Sequence, residues 1–381
     1  MKTLRSVLAA FVVVGLICSG CGSNEDTAQA PEQPKRTIDE SVTAAITFLK
    51  GNQNKDGSFG KERAGVGITA LAVYGVAKSR HAKDPGAQQI IDKAVAYILA
   101  NQREDGSINN DAKLLAMYRT SLSIMLLVAV DAETHKDVIK GAQDYLKGSQ
   151  FSETLGDFKP TDWEYGGWRY SREMEGAADP DLSNLQFVVT ALKESGLSEE
   201  DPAFKRAIVF LQRCQNRTES NDMPTSGNDG GGFYAPSESK AGEVVLPDGT
   251  KVFKSYGSMT YALLKSYLSC GLPADDARVQ AAYKWIVENY SVDENPGMKQ
   301  EGLFYYYLGM ARALAAFGGD TIKTPDGREH NWRQELSAKI ISLQKDDGSW
   351  TNPADRWMEG DPTLVCGFAV TALNHCYPQA E

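Results

Sequence analysis

Two hydropathy patterns alternate along most of the chain, and they are clearest side by side between Ala281 and Leu314. The segment AAYKWIVENY (281–290) places its apolar residues on one helical face. The segment EGLFYYYLGMARAL (301–314) is apolar nearly all round. The first predicts a helix with one side in water, and the second a helix enclosed on every side. An enclosed helix needs neighbours that one such pair cannot supply, so further copies are expected.

The copies can be counted. Ala45–Phe59 reads A-x2-F-L-x3-Q-x3-G-S-F, with Phe48, Gln53, Gly57 and Phe59 at the marked places. Ala94–Ile108 repeats it with Tyr97, Gln102, Gly106 and Ile108. A third copy carries Tyr145, Gln150 and, after an insertion, Gly166-Gly167-Trp168; a fourth carries Phe210, Gln215 and Phe233. In the fifth, Tyr290 stands where the others have Gln, and the sixth keeps Gln344, Gly348 and Trp350. Six amphipathic segments, each followed by an apolar one, predict twelve helices in one continuous repeat domain over 37–378. The Gln is suited to bond backbone groups orphaned at the helix end, Asp-Gly supplies the turn, and the closing aromatic plugs the gap between hairpins. Asp56, Asp105 and Asp347 are therefore read as turn formers.

The enclosed helices are expected at 67–76, 120–130, 183–192, 258–268, 303–314 and 364–373. The links that lead from these back to the next amphipathic helix are mostly short. Links in the other direction, at 151–180, 216–256 and 345–361, are long and rich in Gly, aromatic and charged residues. In an alternating ring all the long links fall at one end, and irregular loops on a rigid scaffold are where function usually sits.

The first residues are of another kind. Lys2 and Arg5 precede an apolar run from Val7 to Ile17, too short for the ~20 residues of a membrane span and followed by Cys18-Ser-Gly-Cys21. This predicts an export signal over 1–20 and a lipidated Cys21, with Cys18 standing where the lipidation motif has Leu. Residues 21–36 are polar and proline-bearing, as a flexible tether would be. The expected location is the bacterial cell envelope, with the membrane reached through the lipid anchor. The net charge of −10 argues against nucleic acid as a partner. Cys214, Cys270, Cys366 and Cys376 form no CxxC pair, and His is too sparse for a zinc cluster, so buried thiols or at most one disulfide are expected. No metal and no cofactor are implied.

Six helix hairpins bearing Q-x3-G-x-[FW] resemble the α/α toroid of the prenyltransferase and squalene-cyclase repeat superfamily, over essentially 37–377. The stretch NYSVDENPGMKQEGLFYYYLGMARAL looks most like the exported bacterial proteins of that group. The resemblance implies an all-α, α/α6 toroid with an inner ring of apolar helices and an outer amphipathic ring. It also says which residues each known chemistry would need. Class II terpene cyclases protonate their substrate with the middle Asp of D-x-D-D; here the matching stretch is Asp181-Leu-Ser183-Asn184, and a hydroxyl cannot protonate an alkene. The zinc ligands of protein prenyltransferases fall on Phe304, Tyr306 and Val365, and the GCGEQ of thioester domains does not occur. Those three activities are not expected.

What remains is the long-loop end. Asp162, Trp163, Glu164, Tyr165, Trp168, Arg169 and Tyr170 crowd one loop; Asp229, Phe233 and Tyr234 another; Trp357 and Asp361 a third. Interleaved aromatics and charges suit an apolar ligand with a polar head or a stacked glycan, and a carboxylate pair could supply acid and base. Asp162, Glu164, Arg169, Asp229 and Asp361 are the catalytic candidates. The plainer reading has Asp181 and Asp361 capping helices and the arginines pairing with acids. Tyr305, Tyr306 and Tyr307 span about 200° of an inner helix, so at least one ring should face the central cavity. His81, His135, His330 and His375 fall away from the loop-bearing end and receive no role. Two readings stand: a lipid-anchored toroid that binds an isoprenoid-like ligand, a glycan or a partner protein, and a divergent terpenoid- or polysaccharide-processing enzyme built on those carboxylates.

Overall fold

The computed structural model describes residues 36–60, 65–110, 114–172 and 179–378. The export signal, Cys21 and all but the last residue of the tether lie outside the described residues. Twelve helices follow in order: α1 (Ile38–Asn52), α2 (Gly65–Ala77), α3 (Pro85–Ala100), α4 (Ala116–Asp131), α5 (Lys136–Gly148), α6 (Leu182–Glu194), α7 (Pro202–Arg213), α8 (Gly257–Ser269), α9 (Ala277–Glu288), α10 (Leu303–Phe317), α11 (Trp332–Ser342) and α12 (Pro362–Asn374). The even-numbered helices form an inner ring: α2 packs on α4, α4 on α6, α6 on α8, α8 on α10, α10 on α12, and α12 returns to α2. Their first eleven positions are buried almost without exception, whereas α1, α5, α7 and α9 bury only every third or fourth residue. All six inner helices run the same way round, so their N-termini and the long links share one end. The apolar core lies entirely between Val42 and Cys376 among the described residues, so this unit carries its own core.

The motif residues join one repeat to the next. Gln53 donates to Gly57 O of its own turn and to Ile90 O on α3; Gln150 does the same to Gly166 O and Ala203 O, and Gln215 to Gly230 O and Arg278 O. Gln344 bonds Gly348 O and Ser41 O, which closes the ring onto α1. In the fifth repeat the hydroxyl of Tyr290 reaches Glu335 on α11 at 3.0 Å, so a different residue makes the same link. Asp56, Asp105 and Asp347 each accept from the serine two places on, as turn formers do. Phe59, Ile108, Trp168, Phe233 and Trp350 are fully buried.

Two hairpins add to the helical plan: β1 (Glu243–Val245) with β2 (Lys251–Phe253), and β3 (Thr321–Lys323) with β4 (Glu329–Asn331). Both turn on Pro-Asp-Gly, at 247–249 and 325–327, a turn signal the helical periodicity had overshadowed. Cys214, Cys270, Cys366 and Cys376 are free and buried. No described helix is long and apolar enough to cross a membrane.

Candidate functional site

At the N-terminal end of the inner ring a cavity of about 490 Å³ opens among the inner helices. Its walls come from Gly67, Ile68 and Leu71 on α2, Tyr118, Arg119 and Leu122 on α4, Ser183 and Phe187 on α6, Ser258 and Met259 on α8, Tyr305 on α10, and Leu364 and Phe368 on α12. The long links supply the rim: Tyr170, Tyr234, Lys240, Tyr256, and Arg356 through Glu359. Tyr118, Ser183 and Leu364 recur four residues on as Leu122, Phe187 and Phe368, which places each pair on one helical face toward the axis.

The polar atoms in this cavity are largely committed to one another. Tyr118 donates to Ser183 Oγ at 2.7 Å, Ser183 and Tyr305 hydroxyls pair at 2.6 Å, and Gln186 also reaches Tyr305. Tyr170 and Tyr234 hydroxyls pair at 2.7 Å. Glu359, the only carboxylate in the lining among the described residues, accepts from the backbone N–H of Tyr305 at 2.8 Å and from Asn352 at 2.6 Å, and so ties the rim loop to the start of α10. Burial raises its pKa above the usual carboxylate range, although these bonds oppose the shift. Asp181 is the fully buried N-cap of α6, bonded to Asn184 through its backbone and side-chain amides. Burial pushes its carboxyl up to about 6, with bonds from Asn184 and Tyr234 pulling the other way. Lys240 pairs with Glu238 over the ring of Tyr234, and Arg356 pairs with Glu301 beside Trp357.

Two turns further along the inner helices the axis is closed by a polar plug. Tyr74 donates to Glu194 at 3.0 Å, and Arg312 approaches the same carboxylate at 3.3 Å. Lys265, also on this level, has its ammonium pushed down to about 8, chiefly by burial and next by Arg312. Cations suit this place because six helix C-termini converge there.

Four of the aromatics singled out in the sequence line the cavity: Tyr170, Tyr234, Tyr305 and Trp357. The others lie outside it. Trp168 is fully buried and donates to Leu146 O, Phe233 packs on Phe253, and Tyr165 bonds Glu153. Trp163 is half-buried in its loop, outside the lining. Tyr306 and Tyr307 send their hydroxyls to Ser291 O and Val292 O in the link before α10, so of the three tyrosines it is Tyr305 that faces the cavity.

The charged candidates do not meet in the cavity. Asp361 caps α12 through Thr363 N and Leu364 N, Asp229 holds Gly231 N and the Ser255 hydroxyl, and Asp162 holds Lys159 N. Arg169 donates to Arg172 O and lies over Phe151, and Glu164 sits half-buried with its pKa raised by burial and then by Asp162 and Asp179. None of the five lines the cavity. Tyr118, Phe187, Phe368 and Glu359 were not singled out from the sequence, and the spacing of four on the inner helices was the signal that could have found the first three. Among the described residues no cluster of His, Cys, Asp or Glu is placed to hold a metal ion.

No family model matches the chain. Among curated proteins it is similar to the pheromone-processing carboxypeptidase KEX1 of Candida glabrata, 30% identical over 139 residues, which is 34% of this chain and 18% of that one. It is also similar to drimenyl diphosphate synthase of Streptomyces showdoensis, 23% identical over 187 residues, 49% of this chain and 32% of that one. The chain thus matches less than a third of either relative's length. Its backbone is similar to that of the type II terpene cyclase MstE from Scytonema, with TM-score 0.53 and 13% identity over 88% of this chain and 97% of that one. A family 76 glycoside hydrolase from a bovine Bacteroides thetaiotaomicron strain matches with TM-score 0.58 and 10% identity, over 89% and 78% of the two chains. A possible GH105 member from Salmonella enterica matches with TM-score 0.52 and 13% identity, over 90% and 96%. At such identities the likeness is one of architecture, and in architecture this chain is an α/α toroid.

Proposed function

We propose that this toroid is a non-cyclising, zinc-free binding protein that encloses an apolar, isoprenoid-like chain in its central cavity, anchored to the envelope through Cys21. The observation that supports it best is the chemistry of the lining. A space of about 490 Å³ lies within the ~300–1,000 Å³ of small-molecule sites, and its walls are chiefly aliphatic and aromatic, with Arg119 among them bonded to Asn109. The hydroxyls of Tyr118, Ser183 and Tyr305 bond one another, as do those of Tyr170 and Tyr234, and Glu359 accepts from the N-terminus of α10. A chain in this cavity meets ring faces and methyl groups, and among the described residues no free acid faces it.

The enzymatic alternative needs a pair of carboxylates facing the ligand, and none of the five charged candidates lines the cavity. The partial match to drimenyl diphosphate synthase favours a terpenoid over a glycan as the ligand class. The test is titration of the purified chain with farnesol and geranylgeraniol, followed by calorimetry. Wild type should bind at least one. Leu122→Trp, which fills the cavity from α4, should lose that binding while keeping its helical circular dichroism. Equal binding by both proteins would overturn the proposal, as would turnover of either alcohol.

A further inference from the structure

The inner helices present their N-termini to the end where the cavity opens, and a helix N-terminus ordinarily favours an anion. Among the described residues, three of these N-termini already hold a carboxylate of the chain itself. On α6, Asp181 accepts from the backbone N–H of Asn184 at 2.8 Å and from its side-chain amide at 2.7 Å. On α10, whose N-cap is Gly302, Glu359 accepts from the backbone N–H of Tyr305 at 2.8 Å. On α12, Asp361 accepts from Thr363 N at 2.8 Å and from Leu364 N at 3.3 Å. Each capped turn borders the cavity, through Ser183, Tyr305 and Leu364. On α8 the acceptor is neutral, since Ser258 N donates to Asn295 Oδ1 at 2.9 Å.

A helix N-terminus is equivalent to about half a positive charge, so a whole carboxylate placed on it leaves the sign negative. Asp181 and Glu359 are buried, and salt and water screen buried charges least. The cations of the lining do not restore the balance. Lys240 is matched by Glu238 and Arg356 by Glu301. Arg119 on α4, bonded to Asn109 and to Leu114 O, then counts as one cation against three carboxylates. Along the links at this end Asp and Glu also outnumber Lys and Arg, so the wider field has the same sign.

We propose that Asp181, Glu359 and Asp361 make the mouth of the cavity selective by charge: it admits an apolar chain that ends in an uncharged head, such as an alcohol, and excludes one that ends in a carboxylate or phosphate. This selection rests on the reading of the cavity given above and specifies the head group of its ligand. The three carboxylates act through their field, because their oxygens already accept from amides. An anionic head would leave water for a place where the helix ends that could receive it are occupied.

The experiment uses the chain from Arg36 onward, which carries the complete core and neither the export signal nor Cys21. It is titrated at low salt and pH 8, above the value of about 6 for Asp181, with farnesol, farnesoic acid and farnesylamine. These three heads are of similar size and differ in charge. Farnesoic acid should bind at least about tenfold more weakly than farnesol, and more weakly than farnesylamine. Asp181→Asn, whose side chain can still cap α6, and Glu359→Gln should each narrow the gap between alcohol and acid by roughly threefold. The gap is read within each protein, so a variant that binds every ligand less well still reports on the charge. Farnesoic acid bound as tightly as farnesol by the wild type would overturn the selection and leave the cavity reading intact. A gap that neither variant narrows would do the same. Binding of none of the three ligands would defeat the cavity reading and the selection together.

Discussion

Replacing Gly166 by Ala tests how the repeats are joined. Gly166 has φ +86°, and a Cβ there would lie 1.9 Å from Arg206 O and 2.6 Å from the Arg206 carbonyl carbon, backbone atoms of the next outer helix. Two costs add. The left-handed backbone costs a non-glycine residue about 1 kcal/mol. Forcing the hairpins apart costs a further 1–3 kcal/mol or so, as overpacking does. Gly196 is the control: its φ is +82°, and nothing lies within 4 Å of its added Cβ, so Gly196→Ala should bear the backbone cost alone. For a domain of this size each kcal/mol corresponds to roughly 1.5 °C in Tm. Thermal unfolding followed by circular dichroism should therefore show Gly166→Ala lower by about 3–6 °C and Gly196→Ala by about 1–2 °C. Equal losses would mean that the turn conformation matters and the approach to the next helix does not, which would refute the inter-repeat role.

Gln344→Ala removes bonds to Gly348 O and Ser41 O and the acceptor of Arg36 and of the Ser41 hydroxyl. A loss of about 1–3 kcal/mol is expected, with hydrogen exchange accelerated in α1 and α11 more than in α5 or α7; uniform acceleration would contradict a local clasp. Asp181 has its pKa raised to about 6 by burial, so the native state binds the extra proton and wild-type stability drains away as pH rises from about 4 to 6. Asp181→Asn, which does not titrate, should gain on the wild type by up to roughly 3 kcal/mol across that window and stay level above it; a flat difference in urea unfolding from pH 4 to 7 would refute the assignment. Tyr305→Phe deletes a hydroxyl already paired with Ser183, so farnesol affinity should change by less than about threefold, and a larger loss would mean that the hydroxyl serves the ligand.

The fold was legible because the repeat states it six times. Apolar runs located all six inner helices to within a few residues, and Gln53, Gln150, Gln215 and Gln344 announced the joints, including the closing one. Tyr290, the exception in the sequence, turned out to reach across the same joint to Glu335. The site was much less legible. An inner helix is apolar on its axial face and on its outward face alike, so hydropathy cannot say which of Tyr305, Tyr306 and Tyr307 faces the cavity. The loop carboxylates drew notice as a cluster in sequence, yet Asp162, Asp229 and Asp361 spend their oxygens on local backbone amides, the common fate of Asp in turns and at helix starts. Glu359 met the opposite situation, an acid without a motif that lands on the N-terminus of α10 from fifty-four residues away.

The most direct measurement of the central claim is native mass spectrometry of the chain from Arg36 onward, paired with Leu122→Trp and with lipid extraction of both. The account predicts an apolar, isoprenoid-like molecule retained by the wild type, or taken up on addition of farnesol or geranylgeraniol, and missing from the variant. An empty ring in both proteins, with neither alcohol taken up, would contradict it.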